Sequence, residues 1–363
     1  MITITRKRIL IPLLIIVLAI IVSAVIYVYS IHARSQNKPM ISQSTNAPVK
    51  SYITGLMNRS GPPDESLLTY NNEPLIKGFV IQVNWKDVQP NSANDFDTSA
   101  IDQQLAFAKQ HNLAVRMRIY AGYNTPQWVM NQTGSVSWSK ANDEAGPDSY
   151  NVPKFWTKEF QDVWKAFYQK LSDKYDSNPE LKDVVPGVCI TNFAEPFIRQ
   201  FSNSNNKQAA QANGYTDQSN DACLKATIDM HAALWPTTHM AMAFNPYQSY
   251  DSSVDKNAEP KVIIDYCRDK LGSRCVIGNN SMTSNERNDD YSGLYKTLHD
   301  AKLPMYIQTA TDKKIGDWQK ALNNCIDIGA LSIELPSGYQ NYDKSTLQSF
   351  NAKLANNLNA LNH

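Results

Sequence analysis

The sequence predicts an α/β fold, a single (β/α)8 barrel (TIM barrel), and three observations support this prediction. Eight short apolar or β-rich runs follow one another along the chain. Most of them are followed by a stretch with helical spacing of apolar residues, so strand and helix alternate. The chain from about Val49 to His363 has roughly 310 residues, a length typical of one such barrel.

The eight runs are the expected barrel strands. They are SYITGLM from Ser51, GFVIQVNW from Gly78, LAVRMRIYAG from Leu113, VVPGVCITNF from Val184, HMAMAF from His239, RCVIGNN from Arg274, PMYIQTA from Pro304 and ALSIELP from Ala330. Several are apolar on both faces, as expected for parallel strands that lie between a barrel interior and covering helices. A doubly wound sheet would show the same alternation, but the G-x-G-x-x-G and Walker patterns typical of nucleotide-binding folds do not occur.

Helical periodicity is clearest in three of the segments between the strands. The apolar stripes are Ile101, Leu105 and Ala108; Phe160, Trp164, Phe167 and Leu171; and Trp318, Leu322, Cys325 and Ile326. The third and fourth predicted strands are unusually far apart in the sequence. We therefore predict a long loop or hairpin for the stretch from Gly122 to Pro153 between them. Because it follows a strand, we expect it at the C-terminal face of the barrel, where active sites are built.

The N-terminal region predicts a membrane anchor. Ile9 to Tyr29 is an uncharged run of about 21 residues, long enough to cross a bilayer. Arg6, Lys7 and Arg8 before it favour a cytoplasmic N-terminus. We expect a short cytoplasmic segment at 1–8, a transmembrane helix at 9–29, a flexible linker at 30–50 and an extracytoplasmic, cell-surface barrel at 51–363. A signal peptide cleaved after Ala33 is the alternative.

The net charge and the cysteines limit which ligands and partners are expected. The net charge is +1 and no Lys/Arg block lies outside the anchor flank, so nucleic acid is not expected as a partner. The five cysteines lack metal-site spacing, and we expect neither a metal nor another cofactor. Cys267 and Cys275 either pair in an oxidising exterior, or all five cysteines are buried and reduced.

Two glutamates are the expected catalytic residues. Glu195 follows the fourth predicted strand and Glu334 ends the eighth, so both belong to the C-terminal face. Pairs of carboxylates cleave glycosides, at a separation of ~5–5.5 Å with retention or ~6.5–9.5 Å with inversion. The alternative for each is a structural role, such as holding Arg118.

Other polar and aromatic residues near strand ends are expected to bind a sugar. Flat aromatic faces stack on sugar rings, and amide or guanidinium groups bind hydroxyls. The expected substrate-binding residues are Trp85, Arg118, Tyr123, Trp128, Asn192, Asn245, Tyr306 and Gln308.

Residues from about Gly78 to Phe197 resemble clan A glycoside hydrolases, especially the family 42 β-galactosidase-like barrels. The segments that carry this resemblance are GFVIQVNWKDVQP, IDQQLAFAKQHNLAVRMRIYAGYNTPQWV and the stretch from FWTKEF to CITNFAEPF. The resemblance implies that Glu195 is the general acid/base. It also implies a nucleophilic glutamate at the end of the seventh strand, where this sequence has Gln308.

Three interpretations explain why Gln308 stands where the family has its nucleophilic glutamate. Glu334 has taken the role of nucleophile, the strand count is off by one, or the barrel binds glycan without cleaving it. The predicted function is a membrane-anchored glycoside hydrolase that cleaves an oligosaccharide or polysaccharide outside the cell. The alternatives are an inactive glycan-binding barrel and, with less support, a scaffold for envelope assembly.

Overall fold

The computed structural model describes residues 48–139, 148–189, 203–246, 258–285 and 291–362. Within them, parallel strands form a closed eight-stranded barrel. The barrel strands are β1 (Gly55–Asn58), β2 (Gly78–Asn84), β3 (Ala114–Tyr120), β4 (Leu181–Gly187), β5 (His239–Ala243), β6 (Cys275–Met282), β7 (Met305–Thr309) and β8 (Ser332–Leu335). Each strand pairs with the next along the chain, and β8 pairs with β1. The predicted barrel and its strand order are confirmed.

Helices follow the strands and cover the barrel. Those in the described residues are α1 (Trp85–Val88), α2 (Ser99–Gln110), α3 (Gln127–Thr133), α4 (Lys158–Tyr175), α5 (Ser204–Ala212), α6 (Asp217–Leu234), α7 (Ala258–Leu271), α8 (Ser292–Asp300), α9 (Trp318–Asp327) and α10 (Lys344–Leu361). Short 3-10 helices occupy Glu65–Leu67, Gly122–Asn124, Gly272–Arg274 and Tyr339–Asn341.

Two antiparallel hairpins are added to the barrel. A small one joins Thr69–Tyr70 to Glu73–Pro74. The larger one pairs Ser135–Ser139 with Ser149–Pro153, within the connection that leaves the C-terminal end of β3. The long loop or hairpin predicted at this place is therefore confirmed as a hairpin preceded by α3.

The helices pack through the stripes that the sequence shows. In α4, Phe160, Trp164, Phe167 and Leu171 are buried, and the Thr157 side chain accepts a hydrogen bond from the backbone N–H of Phe160 at the N-terminus. Burial of such side chains is worth about 1.5–3 kcal/mol each, which makes this stripe the main reason for the position of α4. The helix ends at Tyr175, after which Asp176 accepts a hydrogen bond from the backbone N–H of Thr238.

The barrel interior is partly apolar and partly charged. One buried cluster consists of Val185, Ala241, Ala243, Val276 and Tyr306. Close packing against Tyr306 explains the glycine at 278, because a Cβ there would lie 2.3 Å from the Tyr306 carbonyl oxygen and 2.6 Å from its ring. A second apolar cluster contains Ile53, Met57 and Val80. Ionised side chains also lie in the interior, and these belong to the candidate site.

Two disulfides are present, Cys189–Cys223 and Cys267–Cys275. The second is the pair considered from the sequence. The first links the end of β4 to α6 and was not anticipated. Cys325 is buried and is in neither disulfide.

The two disulfides should contribute unequally to stability. Cys189–Cys223 spans 34 residues and Cys267–Cys275 spans 8. Loop-closure entropy then predicts about 4 kcal/mol for the longer loop and about 2.5 kcal/mol for the shorter. We expect the Cys189→Ala/Cys223→Ala variant to lose more free energy of unfolding in urea than Cys267→Ala/Cys275→Ala. Equal losses would contradict this ranking.

A buried histidine on α6 should make stability depend on pH. His231 is fully buried; its Nδ1 lies 2.7 Å from Tyr168 Oη and its Nε2 lies 2.9 Å from the Thr238 carbonyl oxygen. A carbonyl only accepts, so Nε2 carries the proton and Nδ1 accepts from the tyrosine. Burial lowers the pKa of His231 to about 3, against the opposing effect of the Thr238 hydrogen bond.

Because the folded pKa lies below the unfolded value of about 6.5, the unfolded chain binds the extra proton. The contribution of His231 is complete above pH ~6.5 and is lost as pH falls towards 3, by about 2 kcal/mol at pH 5. Urea unfolding at pH 7.5 and pH 5 measures this loss. His231→Gln should flatten the pH dependence, and an unchanged dependence in that variant would exclude His231 as its source.

One compact unit of the chain comprises Asn46–His363. None of the helices in the described part of the chain is long and apolar enough to span a membrane. The predicted transmembrane helix at 9–29 lies outside the described residues.

Candidate active site at the C-terminal end of the barrel

Two arginines on β3 organise the interior. Arg116 and Arg118 are two residues apart on one strand, so their side chains share a face, and both are buried. Arg116 binds Asp183 on β4 through two hydrogen bonds, from Nε at 2.8 Å and from Nη2 at 3.0 Å. Its Nη1 donates to Glu334 Oε1 at 2.8 Å. Arg116 therefore joins opposite sides of the barrel.

Glu334 on β8 is held by both arginines. Arg118 Nη2 lies 2.9 Å from each of its oxygens, in addition to the bond from Arg116. The carboxylate is 0 % exposed. Burial alone would raise the pKa of Glu334, but the charges and hydrogen bonds of Arg118 and Arg116 outweigh it and hold the pKa below its ordinary value. The group is therefore ionised near neutral pH, and both of its oxygens accept hydrogen bonds.

This geometry bears on the expected catalytic role of Glu334. An acid must hold a proton near neutral pH, and a nucleophile must present an oxygen to the sugar. Glu334 is ionised and enclosed by guanidinium groups, so it matches the structural alternative, in which a strand-end glutamate holds Arg118. This geometry favours a positioning role, while the predicted catalytic role of Glu334 stays a prediction.

Gln308 stands at the end of the seventh strand. β7 pairs with β8 and places Gln308 beside Glu334, so an error in the strand count is excluded. Gln308 Oε1 accepts from Arg118 Nη1 at 3.0 Å, and its Nε2 donates to the Asn280 carbonyl at 3.0 Å. On the same strand, the Tyr306 ring lies 3.9 Å from the Arg116 guanidinium carbon. Both side chains belong to the arginine network.

Asn245 lies at the same end of the barrel, two residues beyond β5. Its Oδ1 accepts from Asn279 Nδ2 at 3.3 Å, and Asn279 also donates to the Phe244 carbonyl at 2.8 Å. The amide is 3 % exposed, and its Nδ2 has no acceptor in the described part of the chain. Its orientation is therefore set by Asn279 through the oxygen alone.

Arg118, Gln308 and Asn245 are called the floor of the barrel mouth below. The rim consists of the aromatic and polar residues just beyond them. Tyr123, just after β3, contacts Tyr150 of the larger hairpin with a ring separation of 5.3 Å. Lys86 Nζ lies 5.6 Å from the centre of the Tyr123 ring. Gln82 is exposed although it lies within β2, and it is the register partner of Arg118 on β3. Tyr123 therefore lies just beyond the C-terminal end of β3 with Lys86 beside it, and Gln82 lies next to Arg118 in the register.

Two of the expected sugar-binding aromatics pack elsewhere. Trp85 is fully buried, stacks on Phe167 at 4.9 Å and donates to Gln89 Oε1 at 2.9 Å. Trp128 is half-buried and donates to the Gln89 carbonyl at 2.9 Å. The Trp85 indole packs against α4, and Trp128, on α3, is bound to the residue after α1, so neither is included in the proposed site.

Glu195 and Asn192 lie outside the described residues. The described chain ends before them at Cys189, whose disulfide to Cys223 fixes the point where that segment begins. Among the described residues, no group of three His, Cys, Asp or Glu side chains is placed so that it could hold a metal ion.

Sequence reasoning missed Arg116, Asp183 and Gln82. The available signal was the alternation in AVRMRIY, where two arginines occupy one face of a strand that must be buried. Two buried guanidinium groups require carboxylate partners inside the barrel. Asp183, at the in-register position on β4, is the nearest candidate.

Comparison with solved structures places the fold among known barrels. The catalytic domain of a β-amylase from Paenibacillus polymyxa is similar over 84% of this chain and 99% of its own, with a TM-score of 0.50 and 10% identity. A β-galactosidase from the Antarctic haloarchaeon Halorubrum lacusprofundi is similar over 83% of this chain and 58% of its own, with a TM-score of 0.54 and 10% identity.

Sequence comparison adds no closer relative. No protein-family model matches the chain, and no curated protein is significantly similar to it. At 10% identity the structural similarities show the fold alone. The chain is thus a (β/α)8 barrel of the type that these glycoside hydrolases have.

Proposed function

We propose that the protein is a glycoside hydrolase that binds a glycan at the C-terminal end of the barrel. The observation that carries this proposal is the polar floor formed by Arg118, Gln308 and Asn245, beneath an aromatic rim at the face where barrel enzymes place their active sites. Solved structures with the same fold include the catalytic domain of a β-amylase and a β-galactosidase. The sequence resemblance to clan A, and to family 42 within it, points in the same direction.

Glu195 is the proposed general acid. In glycoside hydrolysis a carboxylic acid gives its proton to the leaving oxygen while the bond to the anomeric carbon breaks. Water then adds its hydroxyl to that carbon, and the remaining proton of the water returns to the carboxylate. Glu334 orients Arg118, which with Gln308 and Asn245 would hold the sugar. Tyr123 would stack on a neighbouring ring at the rim.

The proposed location is the outer side of a membrane. Two disulfides in the barrel are typical of an oxidising compartment. The apolar run at 9–29 would anchor the chain, and the polar segment 30–50 would tether the barrel to it. The substrate would then be an extracellular or cell-envelope glycan.

A glycan-binding barrel without hydrolysis is the second candidate. Two observations favour it: Gln308 replaces the carboxylate expected on the seventh strand, and Glu334 has both oxygens engaged. The floor would then hold a sugar, but no described carboxylate at the ends of β7 or β8 would be available as nucleophile.

One experiment separates the two candidates. The full-length chain, purified in a detergent without a sugar headgroup, is incubated with extracellular polysaccharides. Depletion of polysaccharide from solution measures binding, and new reducing ends measure cleavage. The hydrolase proposal expects both with the same glycan. Binding of a glycan without new reducing ends would favour the second candidate.

A further inference from the structure

The floor of the barrel mouth has engaged acceptors and unused donors. The oxygens of Glu334 accept from the two arginines, and Gln308 Oε1 accepts from Arg118. Asn245 Oδ1 accepts from Asn279. In contrast, Arg118 Nε and Asn245 Nδ2 have no acceptor within the part of the chain that the structure describes.

These two donors are shielded from bulk water. Arg118 and Asn245 are each 3 % exposed. A buried donor without an acceptor costs about 1–3 kcal/mol, which a ligand that supplies the acceptor recovers. The side chain of Ala243, at the end of β5, is one of the small groups of the apolar interior cluster.

The unused donors and the occupied acceptors together indicate which chemical group would fit as the acceptor. A sugar hydroxyl brings a proton that itself needs an acceptor, and each identified acceptor oxygen of the floor already takes at least one hydrogen bond. A carboxylate accepts at both oxygens and donates nothing. Its hydrogen bond with a guanidinium N–H is charge-assisted and about twice as strong as a neutral one.

We propose that this floor binds the carboxylate of an acidic sugar, so that the substrate is a uronate-containing glycan. The inference rests on the proposed function, because it assigns the substrate class of the same site. Arg118 Nε and Asn245 Nδ2 are the donors to the carboxylate. Lys86, exposed beside the Tyr123 ring, adds a cation at the rim over which such a glycan passes.

Matched glycans test the carboxylate directly. Calorimetry with the full-length chain compares polyuronates, such as polygalacturonate and β-1,4-linked polyglucuronate, with their methyl esters. An N-acetylated glycan, chitotetraose, tests a neutral carbonyl as the acceptor instead. We expect at least one polyuronate to bind at least 10-fold more tightly than its ester. Equal affinity for acid and ester, preference for chitotetraose, or failure of every polyuronate to bind overturns the inference.

Variants of Asn245 test the assigned donors without removing a buried charge. Asn245→Ala should weaken polyuronate binding about 10-fold and ester binding far less. Asn245→Asp should weaken polyuronate binding further, because it places a carboxylate against the ligand. Asn359→Ala, an exposed position on α10, is the matched control. Thermal melting confirms that each variant is folded, and unchanged polyuronate affinity in both Asn245 variants contradicts the assignment.

Failure of this inference is distinguishable from failure of the proposed function. Selective polyuronate binding without new reducing ends removes the hydrolase proposal and keeps the acidic ligand. Cleavage of a neutral glycan with no preference for acid over ester keeps the hydrolase and removes the acidic ligand.

Discussion

Replacing Glu334 with alanine is expected to lower the free energy of unfolding by about 3–5 kcal/mol, because it leaves two buried guanidinium groups with Asp183 as their one remaining carboxylate in the network. The loss exceeds that of an exposed ion pair, which is typically 0–1 kcal/mol. Equilibrium unfolding in urea, followed by circular dichroism, measures the difference. The transition midpoint should fall, with little change in its slope.

Glu334→Gln is the informative companion. It keeps the volume and one acceptor oxygen but removes the charge, so we expect a smaller loss than for alanine. Lys158→Ala serves as the control, because its ion pair with Asp162 on α4 is exposed. If Glu334→Ala destabilises by no more than this control, the arginine network does not stabilise the barrel, and the positioning role of Glu334 is wrong.

Replacing Glu195 with glutamine is expected to lower turnover by about 10³-fold while leaving the thermal midpoint unchanged. General acid catalysis typically contributes 10²–10⁴-fold, and an amide cannot donate the proton that the leaving oxygen needs. The rate of reducing-end release from the glycan that the wild-type protein cleaves measures the effect. Substrate affinity should change little, since the side chain keeps its size.

Glu180→Gln is the matched control for this experiment. Glu180 directly precedes β4 and therefore lies at the opposite end of the same strand from the segment that carries Glu195. We expect it to retain wild-type turnover. Full turnover in Glu195→Gln would remove Glu195 from the mechanism, whatever the control shows.

The barrel was predictable because its strands are buried on both faces. Segments such as HMAMAF and PMYIQTA are nearly continuous apolar runs, and each contains a strand of the structure, at His239–Ala243 and Met305–Thr309. The helical stripes were equally clear, since Phe160, Trp164 and Phe167 recur at helical spacing and are buried in α4. The periodicity of apolar residues indicates which side chains are buried, and the pattern of burial distinguishes strands from helices.

The role of Glu334 was not predictable in the same way. Its partner Arg118 lies 216 positions away in the sequence, so their contact depends on how the closed barrel brings β3 and β8 face to face. A glutamate at a strand end has the same appearance in the sequence whether it is catalytic or paired. The choice between the two roles needs the positions of both guanidinium groups.

The direction of an aromatic side chain beyond a strand end was also not predictable. Trp85 and Tyr123 both follow strands closely, yet Trp85 is fully buried against Phe167 while Tyr123 reaches the rim. Trp85 is the first residue of α1, and its ring faces α4. Tyr123 lies in a 3-10 turn beneath the larger hairpin. Local backbone geometry, which the sequence pattern does not encode, makes the difference.

The central claim is that the barrel cleaves the glycan that its mouth binds. The most direct test measures binding and reducing ends in the same sample, for the wild-type chain and for Glu195→Gln. The account predicts that both proteins bind the same glycan and that only the wild-type protein releases new reducing ends above background. A glycan that both proteins bind and neither cleaves would contradict the account and leave a glycan-binding barrel.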